Sequence, residues 1–168
     1  MTTLYLVRHG ETVGNKAQIL QGQTPGELNE LGREQAREVM EKMRHEHIDA
    51  FVSSDLRRSM QTCEIIAEPH GGEVITSVLL RERDWGGFTA KFIPDLQDAE
   101  WPDDIETLEQ MLSRARKFMT WLRVSYPAQT VLAVGHGIIN KAIQSVYYNK
   151  PMNKIHKMGN AEIRVLLL

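Results

Sequence analysis

Two imidazoles stand beside glycines at the ends of apolar runs in this chain. Residues 4–7 pass into Arg8-His9-Gly10, and residues 130–134 pass into Gly135-His136-Gly137. A third run, residues 48–52, passes into Ser53-Ser54-Asp55-Leu56-Arg57-Arg58. Short apolar runs of this kind read as buried strands. In an open α/β sheet, ligands sit beyond the carboxyl ends of the strands. If the three strands are parallel neighbours, Arg8, His9, Arg57 and His136 meet at one sheet edge, in a positive pocket with two imidazoles. Guanidinium forks match phosphate oxygens and stay charged. The helix amino ends after Asp55 and Gly137 would add backbone donors. Such a pocket suits a dianionic phosphoryl group, whose transfer depends mainly on positioning and charge stabilisation. Within the arginine pair, Arg58 is the alternative ligand.

The positioning elements follow from periodicity and punctuation. Residues 30–44 read as a helix capped by Asn29, with Leu31, Ala36, Val39, Met40 and Met43 on its apolar face. A second helix, capped by Ser54 or Asp55, runs to about Ala67 and stops before Pro69 and Gly71-Gly72. Residues 73–76 form a short strand. Residues 86–103 read as irregular, 105–124 as a long amphipathic helix, 138–147 as a helix and 162–167 as a last strand. Strands alternating with helices predict an α/β sheet covered on both faces. The 168 residues suffice for a single domain spanning 1–168 with a sizeable core. A net charge of −2 argues against nucleic acid or an anionic membrane as the main partner. The amino-terminal residues lack the basic segment and apolar core of a secretory signal, and one cysteine, Cys63, permits no internal disulfide. A cytoplasmic enzyme, monomeric or homodimeric, fits these bounds, with Cys63 as an inert buried thiol.

Four motifs in order strongly resemble the histidine phosphatase superfamily, the phosphoglycerate mutase-like group. They are Leu6-Val7-Arg8-His9-Gly10-Glu11-Thr12 with Asn15; Ser53-Ser54-Asp55-Leu56-Arg57-Arg58-Ser59-Met60-Gln61-Thr62; Leu80-Arg81-Glu82-Arg83-Asp84-Trp85-Gly86; and Val134-Gly135-His136-Gly137. The resemblance implies a three-layer α/β/α sandwich with a mostly parallel central sheet. It implies His9 as the nucleophile that becomes phosphorylated, and Arg8, Arg57 and His136 as the phosphate pocket. Glu82 becomes the acid that protonates the leaving oxygen, and Asn15 a further phosphate contact. Gln21-Gly22 matches a loop that touches the substrate, while Arg83 and Trp85 flank the acid as candidate substrate contacts. No metal or other cofactor is implied. His9 must attack as a neutral imidazole with its second nitrogen held, and the arginines should disfavour its protonation.

The chain departs from the family where leaving groups are read. Gly14 stands where many members carry Trp, Gly86-Gly87-Phe88 follows the Glu motif, and Glu27 precedes Leu28 where Asp is usual. The segment 91–109 is short and acidic and lacks the tandem arginines implied for a mutase. An acidic segment there repels a doubly acidic substrate. The expected activity is therefore metal-independent hydrolysis of a small phosphorylated metabolite through a phosphohistidine. Phosphoglycerate mutase-type transfer and protein phosphohistidine hydrolysis stay open, as does a phosphate-binding module without catalysis. A metal site on His9, Asp55 and His136 would have too few well-spaced ligands.

Overall fold

The computed structural model describes all residues, 1–168. A five-stranded sheet in the order β3-β2-β4-β1-β5 runs through the centre. Its strands are β1 (Thr3–Arg8), β2 (Ala50–Ser53), β3 (Ile75–Thr76), β4 (Thr130–Gly135) and β5 (Ile163–Leu167), and a one-turn helix, α1 (Val13–Lys16), follows β1. The first four are parallel where paired, and β5 is antiparallel on the β1 edge. Register pairs Arg8 with Gly135 and Ser53 with Val134, so the three apolar runs that end in polar residues do finish side by side.

Side-chain alternation along these strands decides the layers. Leu4, Leu6, Val52, Val131 and Ala133 face α4 (Leu108–Ser125) and α5 (Gly137–Tyr148), which contribute Met111, Phe118, Met119, Leu122, Ile139 and Ile143. Val7, Phe51, Leu132 and Val134 face the other way, toward α2 (Glu30–Met43) and α3 (Arg57–Ala67). There they meet Val39, Met43, Cys63 and Ile66. The result is an α/β/α sandwich whose period-2 strands serve two helix layers. Cys63 is buried, and that burial holds its thiol well above the ordinary range. No helix is long and apolar enough to cross a membrane.

Three local expectations shift. Leu31 is exposed and Met40 only half-buried, because the buried stripe of α2 follows Gly32, Ala36, Val39 and Met43. The long helix starts at Leu108 rather than near Ile105, where Thr107 and Gln110 form a capping box. Helix α3 starts at Arg57, with Leu56 as its N-cap and no side-chain cap. The hydroxyl of Ser54, an expected cap, instead lies 2.7 Å from His136 Nε2. That last shift changes the site.

Candidate active site

His9 follows β1 directly and is 3% exposed. Its backbone N–H donates to Gly135 O on β4 at 3.2 Å, which fixes the residue to the sheet edge. Nδ1–H donates to Gly10 O at 2.7 Å, and this leaves Nε2 as the free lone pair. Gly10 is held in turn by Thr62 of α3, whose Oγ1 accepts from Gly10 N at 3.1 Å. Glycine is required there by crowding: a Cβ on residue 10 would stand 2.4 Å from Gly32 O at the start of α2. Burial, then the nearby Arg58 and Arg8 charges, push the His9 pKa down to about 3, so the ring is neutral at physiological pH. The arginines act in the expected direction, but burial is the larger cause.

His136 is the fully buried N-cap of α5, its ring centroid 5.1 Å from that of His9. Ser54 Oγ accepts from Leu56 N at 3.3 Å and lies 2.7 Å from His136 Nε2; with the hydroxyl as donor, the ring hydrogen sits on Nδ1. Burial, then Arg58, holds this imidazole well below its ordinary pKa. Its Nδ1 is buried with no partner, as are Nε of Arg8 and Nε of Arg58. An unsatisfied buried donor costs about 1–3 kcal/mol. Three of them on neighbouring cationic and imidazole groups form a set of donors built for an oxyanion.

The structure corrects the arginine assignment. Arg58 is 1% exposed and lines the cavity with Arg8 and His9. Its Nη2 donates to Gly22 O at 2.7 Å and its Nη1 to Thr24 O at 2.5 Å. Arg57 points to solvent, its side chain 60% exposed, with Nη2 3.3 Å from Glu27 Oε1. With the helix beginning at Arg57, consecutive side chains diverge by about 100° and only the second faces the cavity. The helix amino ends also differ from expectation. The first amides of α5, Ile138 N and Ile139 N, donate to the Glu82 carboxylate at 3.1–3.2 Å rather than toward the cavity centre.

Arg8, His9, Asn15, Gln21, Gly22, Arg58, Glu82 and Trp85 all line one cavity of about 240 Å³. Asn15 Oδ1 accepts from Thr12 N at 3.1 Å and Asn160 Nδ2 at 3.3 Å, so its amide group is the end left to donate. Gln21 lies against Gly14, where a Cβ would come within 2.6 Å of it; a larger residue at position 14 would displace that side chain. Gly22 has φ +53, which suits glycine, and its carbonyl faces Arg58.

The sequence profile of the histidine phosphatase superfamily, branch 1, matches residues 4–168. The chain belongs to the histidine phosphatase superfamily. The chain is 37% identical over 142 residues to the uncharacterized phosphatase PhoE of Bacillus subtilis, covering 82% of this chain and 72% of that protein. It is 36% identical over 165 residues to the probable phosphoglycerate mutase GpmB of Proteus mirabilis, covering 90% and 77%. The structure of a mycobacterial glucosyl-3-phosphoglycerate phosphatase complexed with VO3 superposes with a TM-score of 0.90 at 28% identity, over 97% of this chain and 91% of that one. The enzyme is a phosphatase of the histidine phosphatase type.

In this phosphatase, three further groups act on the site without having been singled out in the sequence. Arg114 of α4 donates to Leu79 O and Arg81 O at 2.8 Å and to Glu82 O at 3.3 Å. The same guanidinium pairs with Glu106 at 2.8 and 2.9 Å. It thereby pins the segment that carries Glu82 to the core helix. The available signal was its position: residue 114 shares a helical stripe with Met111, Phe118 and Leu122, where an arginine needs a reason. Asn160 Nδ2 donates to His9 O at 3.1 Å, and Lys157 lines the cavity from the loop before β5. Burial, then the Arg8 charge, lowers the Lys157 pKa. No periodicity marks either residue.

Arg83 does not line the cavity. Its Nε donates to Glu106 O at 2.7 Å, and its guanidinium lies 4.6 Å from the Trp85 ring centroid and 5.4 Å from that of Trp101. Arg81 is engaged elsewhere, in a bidentate pair with Asp55 at 2.7 and 2.5 Å. The flanking arginines therefore brace the Glu82 segment, and of that segment only Glu82 and Trp85 reach the cavity.

Proposed function

We propose that the enzyme hydrolyses a small phosphomonoester through a phosphohistidine on His9, without a metal, in the cytoplasm. The observation that carries this reading is the free Nε2 of a neutral, rigidly held imidazole beside the partnerless donors of Arg8, Arg58 and His136. These groups, with the Asn15 amide, hold the phosphoryl oxygens and supply the positive charge the reaction needs. His9 Nε2 attacks phosphorus as the ester P–O bond breaks, and Glu82 gives a proton to the departing oxygen. Water then attacks phosphohistidine while Glu82 takes its proton, which frees phosphate and restores His9. The relatives include both phosphatases and a probable mutase. The acidic residues Asp95, Asp98, Glu100, Asp103 and Asp104, on the segment that follows Ile93 of the cavity wall, favour hydrolysis over transfer between doubly acidic substrates.

Rapid quench with labelled phosphomonoester tests the intermediate. An alkali-stable, acid-labile label on His9 is expected, absent in His9→Ala, together with continuous phosphate release that survives chelator. Fast isomerisation of 3-phosphoglycerate with its bisphosphate and no free phosphate would overturn hydrolysis in favour of transfer.

A further inference from the structure

The catalytic cavity shares a wall with a second concavity. Leu20, Trp85 and Ile93 line both. Beyond them lies an open groove of about 620 Å³ formed by Phe88, Leu96 and Trp101. Trp101 meets Trp85 edge-on at 5.5 Å and Phe88 at 6.0 Å, so the groove has a connected aromatic wall. Trp101 is 54% and Ile93 46% exposed, which is apolar surface left in water. The wall is also braced: the Gln18–Leu20 backbone pairs with Ala90–Ile93 through Leu20 N to Lys91 O at 2.9 Å and Ile93 N to Gln18 O at 2.8 Å.

Charge around the groove narrows what it can hold. Asp95, Asp98 and Glu100 fall within the segment 93–101 that supplies Ile93, Pro94, Leu96, Gln97 and Trp101 to the lining, but none of the three lines it. The Arg83 guanidinium is occupied by Glu106 O and by the faces of the two tryptophans, and Lys91 Nζ lies 5.7 Å from the Phe88 ring centroid. Lys157 stands beside Arg8, on the phosphate side. The lining itself carries no charged side chain, so an uncharged ring would cover the exposed indole and aliphatic surface.

We infer that this groove is the leaving-group subsite and that it takes an uncharged aromatic or aliphatic body carried by the phosphomonoester. The inference rests on the phosphatase reading and names the substrate class for it. The phosphoryl group enters the donor set of Arg8, Arg58 and His136; Glu82 and Trp85 flank the ester oxygen; the apolar body lies over Ile93 toward Trp101 and Leu96.

Propyl phosphate and 3-phenylpropyl phosphate test it, because their leaving oxygens have nearly equal basicity. The corresponding phosphonates report binding by calorimetry without turnover. The phenyl compound is expected to gain about tenfold in kcat/KM and in phosphonate affinity. Leu96→Asn and Leu96→Ala, both folded by circular dichroism, are expected to lower that ratio and leave propyl phosphate within about twofold of the parent enzyme. A ratio near one in the parent, an unchanged ratio in both variants, or a clear preference for 3-phosphoglycerate would overturn the subsite. If the phenyl phosphonate binds tighter but neither ester releases phosphate, the groove stands and the hydrolysis reading falls. If both esters are hydrolysed equally well, hydrolysis stands and the groove falls.

Discussion

The floor and the rim of this site are built by different means. The floor consists of residues at the ends of β1, β2 and β4 and in the first turn of α3: Arg8, His9, Ser54, Arg58 and His136. It is buried, and its geometry is fixed by sheet register and by hydrogen bonds to backbone. The rim is the segment 81–106, which has short turns in place of long elements. It is held by arginines on carbonyls and carboxylates and by indole faces. On the proposed mechanism, the comparison teaches that the phosphoryl chemistry belongs to the rigid sheet edge. On the proposed subsite, the identity of the leaving group belongs to a segment that can change without disturbing the sheet.

Substitutions on the floor should have the largest effects. Arg58→Ala is expected to lose about 10²–10³-fold in kcat/KM on every phosphomonoester, because one preorganised donor to the phosphoryl oxygens disappears. Arg57→Ala should stay within about threefold, as it loses only an exposed contact to Glu27. Equal losses in the two variants, read from steady-state kinetics, would erase the distinction between the arginines. On the rim, Glu82→Gln should cost about 10²–10³-fold on alkyl phosphates and less than about tenfold on aryl phosphates, whose leaving groups need less protonation. A uniform loss would remove Glu82 from proton transfer.

Arg114 sharpens the boundary, since it reaches from the core to the rim. Arg114→Ala is expected to lower kcat on alkyl phosphates by about tenfold, with KM little changed and aryl phosphates spared, by loosening the Glu82 segment. A fall in melting temperature alone, with kinetics intact for both ester classes, would mark it as purely structural. The smallest effect is thermodynamic. His9 is neutral when folded, with its pKa near 3, and His136 is lowered too, whereas an unfolded histidine titrates near 6.5. The unfolded chain therefore binds more protons between these values, and stability falls as pH drops through that window. His9 alone contributes about 2 kcal/mol of loss from pH 6.5 to 5. Urea titrations should show this slope, reduced in His9→Asn; a flat profile in the parent protein would contradict the buried neutral ring.

The sheet, its helix layers and most of the floor were legible because each strand is an apolar run that stops at a polar group. Residues 4–7, 48–52 and 130–134 announced where Arg8, Ser53 and His136 would lie, and neighbouring parallel order did the rest. The arginine pair was not legible. Choosing between Arg57 and Arg58 depends on the helix's first residue, and Ser54 offered a plausible cap whose hydroxyl is instead taken by His136. A one-residue shift in a helix start redirects a side chain by about 100°. The rim was hidden for another reason. Its partners, Arg83 with Trp101 or Arg114 with Glu82, are joined across loops by tertiary contact that has no period to read.

The neutrality of both imidazoles fixes the cavity's electrical character. Its fixed positive charge resides on Arg8 and Arg58, which stay ionised across the working range even though burial lowers both, and Lys157 adds a third cation whose pKa burial also lowers. The two guanidiniums thus present a constant field while the guests change their charge. Inhibition by free phosphate should strengthen with pH only as far as the anion itself gives up its second proton, so the product's own acidity sets how tightly it lingers.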